Sequence, residues 1–310
     1  MTESLRPMST GELLDRTFML YRKNFLLFVG IATVGPAAYL VFQLLTIGSA
    51  VLPGSSRATG AAAFASMGVG IIVGLVVMLA GMAISHAATV KAVAAVHLGR
   101  TITVGAAYKA LRGRVLRVLG VFGLVMLLVI VGAGVIIVLA SVIASLALVG
   151  GAQAGTAGTI AGGLVGLAAV VVGVLLAVTI YVRYSLAIQA CVVEDLRPLA
   201  SLKRSAELSK GARSRVLTVY FVFGLLSMIV SVALGGATGA IGALLHNRIV
   251  ALILIYLASF VAGSLTGPLA TIGISLLYYD ERVRKEAFDL QLMMATLDAP
   301  AQPLAVPIQA

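Results

Sequence analysis

Six unbroken apolar runs, at about residues 25–47, 67–90, 118–148, 160–182, 216–242 and 249–278, leave this chain few structures to choose from. A helix needs about 20 apolar residues to cross a hydrocarbon core of roughly 30 Å, and every run supplies them. Inside a bilayer no water is at hand to satisfy backbone amides and carbonyls, so only helices and closed barrels can cross. Barrel strands alternate in polarity over roughly ten residues, whereas these runs are continuous in Leu, Val, Ile, Ala and Gly. The expected fold is an all-α membrane protein with six transmembrane helices. The 61% apolar and 11% charged residues agree, since soluble domains carry about 25% charged residues. Six spans use most of the 310 residues, which leaves short loops and a tail rather than a separate soluble catalytic domain. Glu3, Glu12 and Asp15 interrupt any positive leader, so the first run is expected to remain as a span.

The charges divide sharply between the two ends of these spans. Basic residues mark the cytoplasmic side when they lie in short loops near helix ends. Nineteen of the 22 fall before the first run, between the second and third, between the fourth and fifth, or after the sixth. Arg57 and Arg248 fall on the other side, Arg183 lies near a helix end, and all eleven acidic residues share the basic side. Both termini are therefore expected in the cytoplasm. One cysteine, Cys191, makes no internal disulfide, and with three histidines it does not provide a Cys/His zinc site of ordinary spacing, so no cofactor or metal is expected.

Three times a basic amphipathic stretch ends at Asn or Gly and runs straight into an apolar span. Ser9 to Glu12 fits a capping box that starts a helix, with Leu14, Phe18, Tyr21 and Phe25 on one face and Asn24 as a left-handed terminator. Thr103 is the expected cap of a second such helix, closed by Gly113, and Pro198 is well placed as the first residue of a third, closed at Lys210-Gly211. In the third, Leu199, Leu202 and Ala206 are expected to face the membrane. The terminators recur 89 and 98 residues apart. The chain is therefore expected to be one six-span membrane domain over residues 1–298, built from three units at about 9–100, 101–197 and 198–290. Each unit is an interfacial helix followed by a transmembrane hairpin, and a flexible tail covers 299–310. The first span is expected to kink at Pro36 and the sixth to break at Gly267-Pro268. Loops at Pro53 to Ser56 and Gly150 to Gly155 should turn the outer ends.

The stretches Ser201 to Ser205, Leu208 to Gly211 and Tyr278 to Leu290 resemble a bacterial membrane family labelled the membrane domain of glycerophosphoryl diester phosphodiesterase. The opening Arg6-Pro7, Ser9 to Asp15 and Tyr21-Arg22 is also similar to it, so the likeness covers nearly the whole chain. It implies a six-span protein of the bacterial inner membrane. The phosphodiesterase activity in the label belongs to a separate soluble barrel domain, for which this chain has no matching segment.

Few residues within the spans carry chemistry. His86 and His97 lie eleven residues apart, nearly on one helix face and about 16 Å apart along it, a spacing open to axial ligation of a haem or chlorophyll. The plainer reading gives His86 a hydrogen bond across a helix interface and puts His97 in a wet loop. No Asp or Glu falls within the runs, which disfavours a proton-coupled carrier. Gln43, Gln189 and Arg183 are the other polar residues near the membrane, with Arg183 reaching the interface between Tyr181 and Tyr184.

Gly70 with Gly74, Gly158 with Gly162 and Gly166, Gly235 with Gly239, and Gly263 with Gly267 have the spacing that lets helices approach closely. Arg22, Lys23, Arg112, Arg114, Arg117, Lys203, Arg204, Lys210, Arg213 and Arg215 are the expected contacts for anionic lipid or a protein partner. Without tryptophan or interleaved aromatics they do not suggest nucleic acid. The expected function is a non-enzymatic structural or accessory component of a membrane complex, or a lipid-interacting scaffold. The alternative is a transporter or channel for a neutral or lipid-like substrate.

Overall fold

A computed structural model describes residues 7–51, 61–153 and 155–287. The predicted turn at Pro53 to Ser56, Arg57, Asp289 and the tail lie outside these residues. All regular elements among the described residues are helices, and six are long and apolar enough to cross a membrane: Phe25–Thr46, Gly68–His97, Val115–Leu146, Thr156–Glu194, Arg213–Leu244 and Arg248–Glu286. Eleven helical segments build them, because two spans are broken and shorter helices precede three of them. They are α1 (Thr10–Lys23), α2 (Phe25–Ala32), α3 (Val34–Val51), α4 (Ala61–His97), α5 (Val104–Lys109), α6 (Val115–Gln153), α7 (Thr156–Tyr184), α8 (Ala187–Glu194), α9 (Pro198–Leu208), α10 (Arg213–Leu244) and α11 (Arg248–Glu286).

The short helices begin as their sequences dictate. Glu12 N–H donates to Ser9 Oγ at 3.2 Å and Ser9 N–H donates to Glu12 Oε2 at 2.8 Å, completing the capping box of α1. Thr103 Oγ1 accepts from Ala106 N–H at 3.3 Å, and Pro198 opens α9. Two of the three terminators adopt the expected geometry, with φ of +81° at both Gly113 and Gly211. Asn24 does not. Its φ is −123°, and its side-chain amide donates to Leu20 O at 3.1 Å, so it closes α1 with a side chain where the other two use a left-handed backbone.

In α1, Leu13 and Thr17 are fully buried, while the face of Leu14, Phe18 and Tyr21 is half-buried to exposed, with Phe18 at 42%. The Thr17 hydroxyl donates to Leu13 O at 2.8 Å, so its polarity is met inside the helix. One expected face is shifted. In α9, Leu202 is buried in the core rather than facing outward, and Leu199 alone of the three expected residues is strongly exposed, at 74%.

The spans pack as three close hairpins, α3 with α4, α6 with α7 and α10 with α11. Helix α11 also touches α1, α2, α3, α4 and α9, which makes it the central element. Burial is concentrated at the basic end. There Phe28, Ile31, Ala83, Ala87, Val90, Val93, Val118, Val121, Leu186, Ala190, Val192, Val216, Val219, Phe223, Ile272, Ile274, Leu276 and Tyr278 are buried in one core. Beyond it the hairpins present their apolar side chains outward, among them Ile130, Val138, Leu146, Ile160 and Leu164, as bilayer-facing helices do. Of the loop expected at Gly150 to Gly155, Ala154 lies outside the described residues. Gly150 and Gly151 belong to α6, and Gly155, at φ +75°, opens α7.

Candidate functional site

The core at the basic end is closed by a polar interlock. Asp280 and Glu281, on α11, are 1% and 4% exposed. Arg215, from the start of α10, lies 2.7 Å from Asp280 Oδ2 and 2.6 Å from Glu281 Oε1. Arg284 pairs with Asp280 at 2.8 Å, one turn further along α11. Both arginines also donate to the carbonyl of Met8, at 3.0 and 2.6 Å, while Met8 N–H donates to Asp280 Oδ1 at 2.6 Å. The residues just ahead of α1 are thus tied by their own backbone to the far end of the chain.

A second cluster lies alongside. Arg204 of α9 makes paired hydrogen bonds to Glu194 at the end of α8 and meets Glu286 at 2.5 Å. Arg282 lies 3.2 Å from Glu286 and 3.6 Å from Glu194, and the Tyr278 hydroxyl donates to Glu194. The bond from Glu286 is the main reason the Arg204 guanidinium is held above its usual pKa, with Glu194 adding to it. Lys285 donates to the carbonyls of Leu208 and Lys210, each at 2.6 Å, where α9 ends and its carbonyls need donors. Such buried pairs add little stability beyond a well-packed apolar core, but they leave a costly unpaired charge when one member is removed.

Each short helix also braces a weak point in a span. Pro36 cannot donate to Ala32 O, and the chain breaks at Thr33, three residues earlier, with Pro36 in the first turn of α3. The kink expected at Pro36 therefore shows as this break. The carbonyls exposed there are taken up by Ser85 Oγ, at 3.2 Å from Ile31 O and 3.3 Å from Ala32 O, and by the Tyr108 hydroxyl of α5, at 2.5 Å from Ile31 O. Helix α11 runs through Pro268 without interruption, unlike the expected break. The Tyr21 hydroxyl of α1 donates to Leu265 O just before that proline, at 2.6 Å. Between α7 and α8, Ser205 of α9 and Ser209 at its C-terminal cap both donate to Arg183 O, and Leu186 N–H donates to Ser205 Oγ. Burial raises the phenols of Tyr21 and Tyr108 above their usual pKa, with a hydrogen bond to Ser85 working the other way for Tyr108.

Between the two proline-marked segments lies a partly open cavity of about 350 Å³. It is walled by the end of α2 and by α3, α4, α10 and α11, and its lining includes Pro36, Tyr39, His86, Ser231, Gly267 and Thr271. The ring of His86 is accessible from it, and His86 Nδ1 lies 3.3 Å from Thr271 Oγ1, the cross-helix hydrogen bond of the plainer reading. His97 is elsewhere. It stacks on Tyr279 with ring centroids 5.2 Å apart, so it packs against α11 rather than sitting in a wet loop.

The ten basic residues divide. Arg114 and Arg117 clasp Asp195 at 3.1 and 3.0 Å, and Arg204 and Arg215 belong to the interlock. Arg22, Lys23, Arg112, Lys203, Lys210 and Arg213 are exposed and have no ion pair among the described residues. Arg183 lies with its guanidinium carbon 5.6 Å from the Tyr184 ring.

Among the glycines, a Cβ on Gly74 would come within 2.7 Å of Phe42, one on Gly166 within 2.9 Å of Ala144, and one on Gly263 within 3.1 Å of Pro36. Gly70, Gly267, Gly235 and Gly239 open onto free space, Gly162 is buried and Gly158 half-buried. The interlock partners Met8, Glu194 and Tyr278 and the cavity residues Tyr39 and Ser231 are not among the residues singled out from sequence. The visible signal for the former is that Glu194, Asp280 and Glu281 stand at the ends of apolar runs facing an excess of arginine.

No protein-family model, curated protein or solved structure matches this chain.

Proposed function

We propose that the chain is a non-enzymatic, multi-pass protein of the bacterial inner membrane, with both termini cytoplasmic, acting as a lipid-interacting scaffold or accessory component of a membrane complex. The bacterial setting and the fold follow from the resemblance to the phosphodiesterase-associated membrane family, whose enzyme label is not carried over. In this reading α1, α5 and α9 open three repeated units and lie along the cytoplasmic interface. One observation carries it: the division of the basic residues. Of the ten, Arg114 and Arg117 are paired with Asp195 at the surface and Arg204 and Arg215 with acids in the interlock, while six exposed cations remain without an ion pair among the described residues. Four of the six, Arg22, Lys23, Arg112 and Lys203, lie within four residues of highly exposed leucines, Leu26 at 82%, Leu116 at 84% and Leu199 at 74%, and Arg213 lies four residues before the exposed Leu217. A cation beside an exposed aliphatic side chain suits the boundary between headgroups and acyl chains, where each Lys or Arg contributes about 1 kcal/mol near an anionic surface.

Native mass spectrometry of protein released from nanodiscs of mixed zwitterionic and anionic lipid tests this. Wild type should retain anionic lipid selectively, and a variant with Arg22, Lys23, Lys203 and Lys210 all changed to Gln should lose most of that selectivity. Equal retention by both counts against the reading, as does a lone monomer without partners after gentle solubilisation.

A second reading, carriage of a neutral or lipid-like molecule, is favoured by the cavity beside Pro36 and Pro268. Flux in reconstituted vesicles that is lost on replacing Pro268 would support it, and no flux across a broad panel would sink it.

A further inference from the structure

We propose that the cavity between α3, α4, α10 and α11 is a binding site for a neutral lipid whose head carries hydroxyl or carbonyl oxygens, the class of the diacylglycerols. The inference concerns binding alone, so it stands or falls separately from the scaffold and carriage readings.

The charge of the site comes first. No Lys, Arg, Asp or Glu lines it, and the interlock that could neutralise an ionic head is spent on its own partners. An ionised headgroup entering there would be buried without a counter-ion, which the membrane interior penalises heavily. A neutral head meets no such cost.

The hydrogen-bonding capacity of the walls comes second. Thr89 donates to Ser85 O, Ser259 to Ile255 O and Ser85 to the broken α2 end, so these hydroxyls have their donors engaged. His86 uses Nδ1 towards Thr271, which leaves Nε2 without a partner among the described residues. The hydroxyls of Tyr39 and Ser231 are in the same condition. These three groups come from α3, α4 and α10 and line one cavity. His86 and Ser231 are exposed and Tyr39 half-buried; facing acyl chains rather than water they need partners, and a head with several hydroxyl or ester oxygens offers both donors and acceptors to them.

Size and position complete the argument. A volume of about 350 Å³ is at the lower end of small-molecule pockets, enough for a glycerol head and the first methylenes of its chains. The acyl chains would leave through the open side, towards the bilayer. His86 lies eleven residues from His97, about 16 Å along the helix, so the head would sit well inside the apolar layer, deeper than a charged headgroup rests.

The test uses the full chain in nanodiscs with a diazirine-bearing diacylglycerol, photoactivated and followed by peptide mapping. Adducts should concentrate on the α4 and α11 peptides that carry His86 and Thr271. Excess unlabelled diacylglycerol should displace them, while phosphatidic acid with the same chains should not. Gly267→Leu places a side chain where nothing lies within 4 Å of a built Cβ, and it should cut labelling at least fivefold. Gly70→Leu, which also opens onto free space but lies outside the cavity lining, should leave labelling unchanged. His86→Phe keeps the bulk of the ring and removes its nitrogens, and it should weaken labelling several-fold while the melting curve stays close to wild type. It also serves as the deciding variant if Gly267→Leu does not fold. Labelling spread evenly over the outward faces, equal displacement by phosphatidic acid, or full labelling in folded Gly267→Leu or His86→Phe overturns the proposal.

Discussion

The two ends of this molecule are held by different physics. At the basic end a continuous core is sealed by buried ion pairs and by hydroxyls placed on broken helices. At the opposite end the same helices meet mainly their hairpin partners, and in the most apolar stretch of the fourth span only 6% of residues are buried. Lipid is as apolar as leucine, so spans gain little from burying leucine against leucine, and polar bonds and close packing must define their arrangement. The contrast teaches that the uniqueness of this fold is concentrated where the spans meet the cytoplasm in the proposed orientation, and that the far end is free to follow the bilayer.

Removing the centre of the interlock should break this comparison most visibly. Arg215→Met leaves Asp280 and Glu281 buried beside fewer cations, a loss of about 3–5 kcal/mol by the measure of other buried pairs. Unfolding in detergent, compared with wild type, checks it. A loss below about 1 kcal/mol would mean that the basic end does not carry the fold.

Tyr108→Phe sharpens the same point for a neutral bond. It leaves the Ile31 carbonyl with Ser85 alone and should cost about 1–3 kcal/mol. Because burial raises the Tyr108 and Tyr21 phenols, their neutral forms stabilise the fold fully below about pH 10, the ordinary tyrosine pKa. That contribution should fade as pH rises from there through the raised values. Thermal scans from pH 8 to 11 would show it, and the double Phe variant should show a shallower alkaline slope.

A smaller effect separates the three terminators. Gly113→Ala and Gly211→Ala force a side chain into φ +81° and should cost about 1–2 kcal/mol each. Asn24→Ala carries no such backbone strain and should lose only its one side-chain bond, about 0.5–1.5 kcal/mol. Equal losses at all three would contradict the distinct geometry of Asn24. The least effect is expected at the far end. Val138→Leu and Leu164→Ile, on side chains 61% and 62% exposed, should stay within about 0.5 kcal/mol in the same assay.

The spans, the caps at Ser9, Thr103 and Pro198 and the left-handed glycines were legible in the sequence because each is set by local chemistry. Helix periodicity, the amide-accepting hydroxyl and the freedom of glycine act within a few residues. The burial of Thr17 was not legible, since a threonine that satisfies itself within its own helix reads as polar, nor was the shifted face of α9, since whether Leu202 meets lipid or core depends on its neighbours in space. The interlock was half legible. The i, i+4 pairs of Asp280 with Arg284 and Glu281 with Lys285 follow from spacing on one helix. The bonds from Met8, Glu194 and Arg215 depend on tertiary placement that no spacing encodes. The cavity is of the same kind, because its walls come from five helices and two of its groups, Tyr39 and Ser231, stand in ordinary apolar surroundings along the chain.

The tie between Met8 and Asp280 joins residues 272 positions apart, and this bears on how the protein is made. The first span reaches the membrane early in synthesis, but the carboxylates that hold the residues before it belong to the last one. Until the ribosome has released α11, Arg215 lacks its acids, and Tyr21 lacks the carbonyl it caps. A product that ends between Arg215 and Asp280 therefore carries an arginine without its acids and a first helix without its ties to α11.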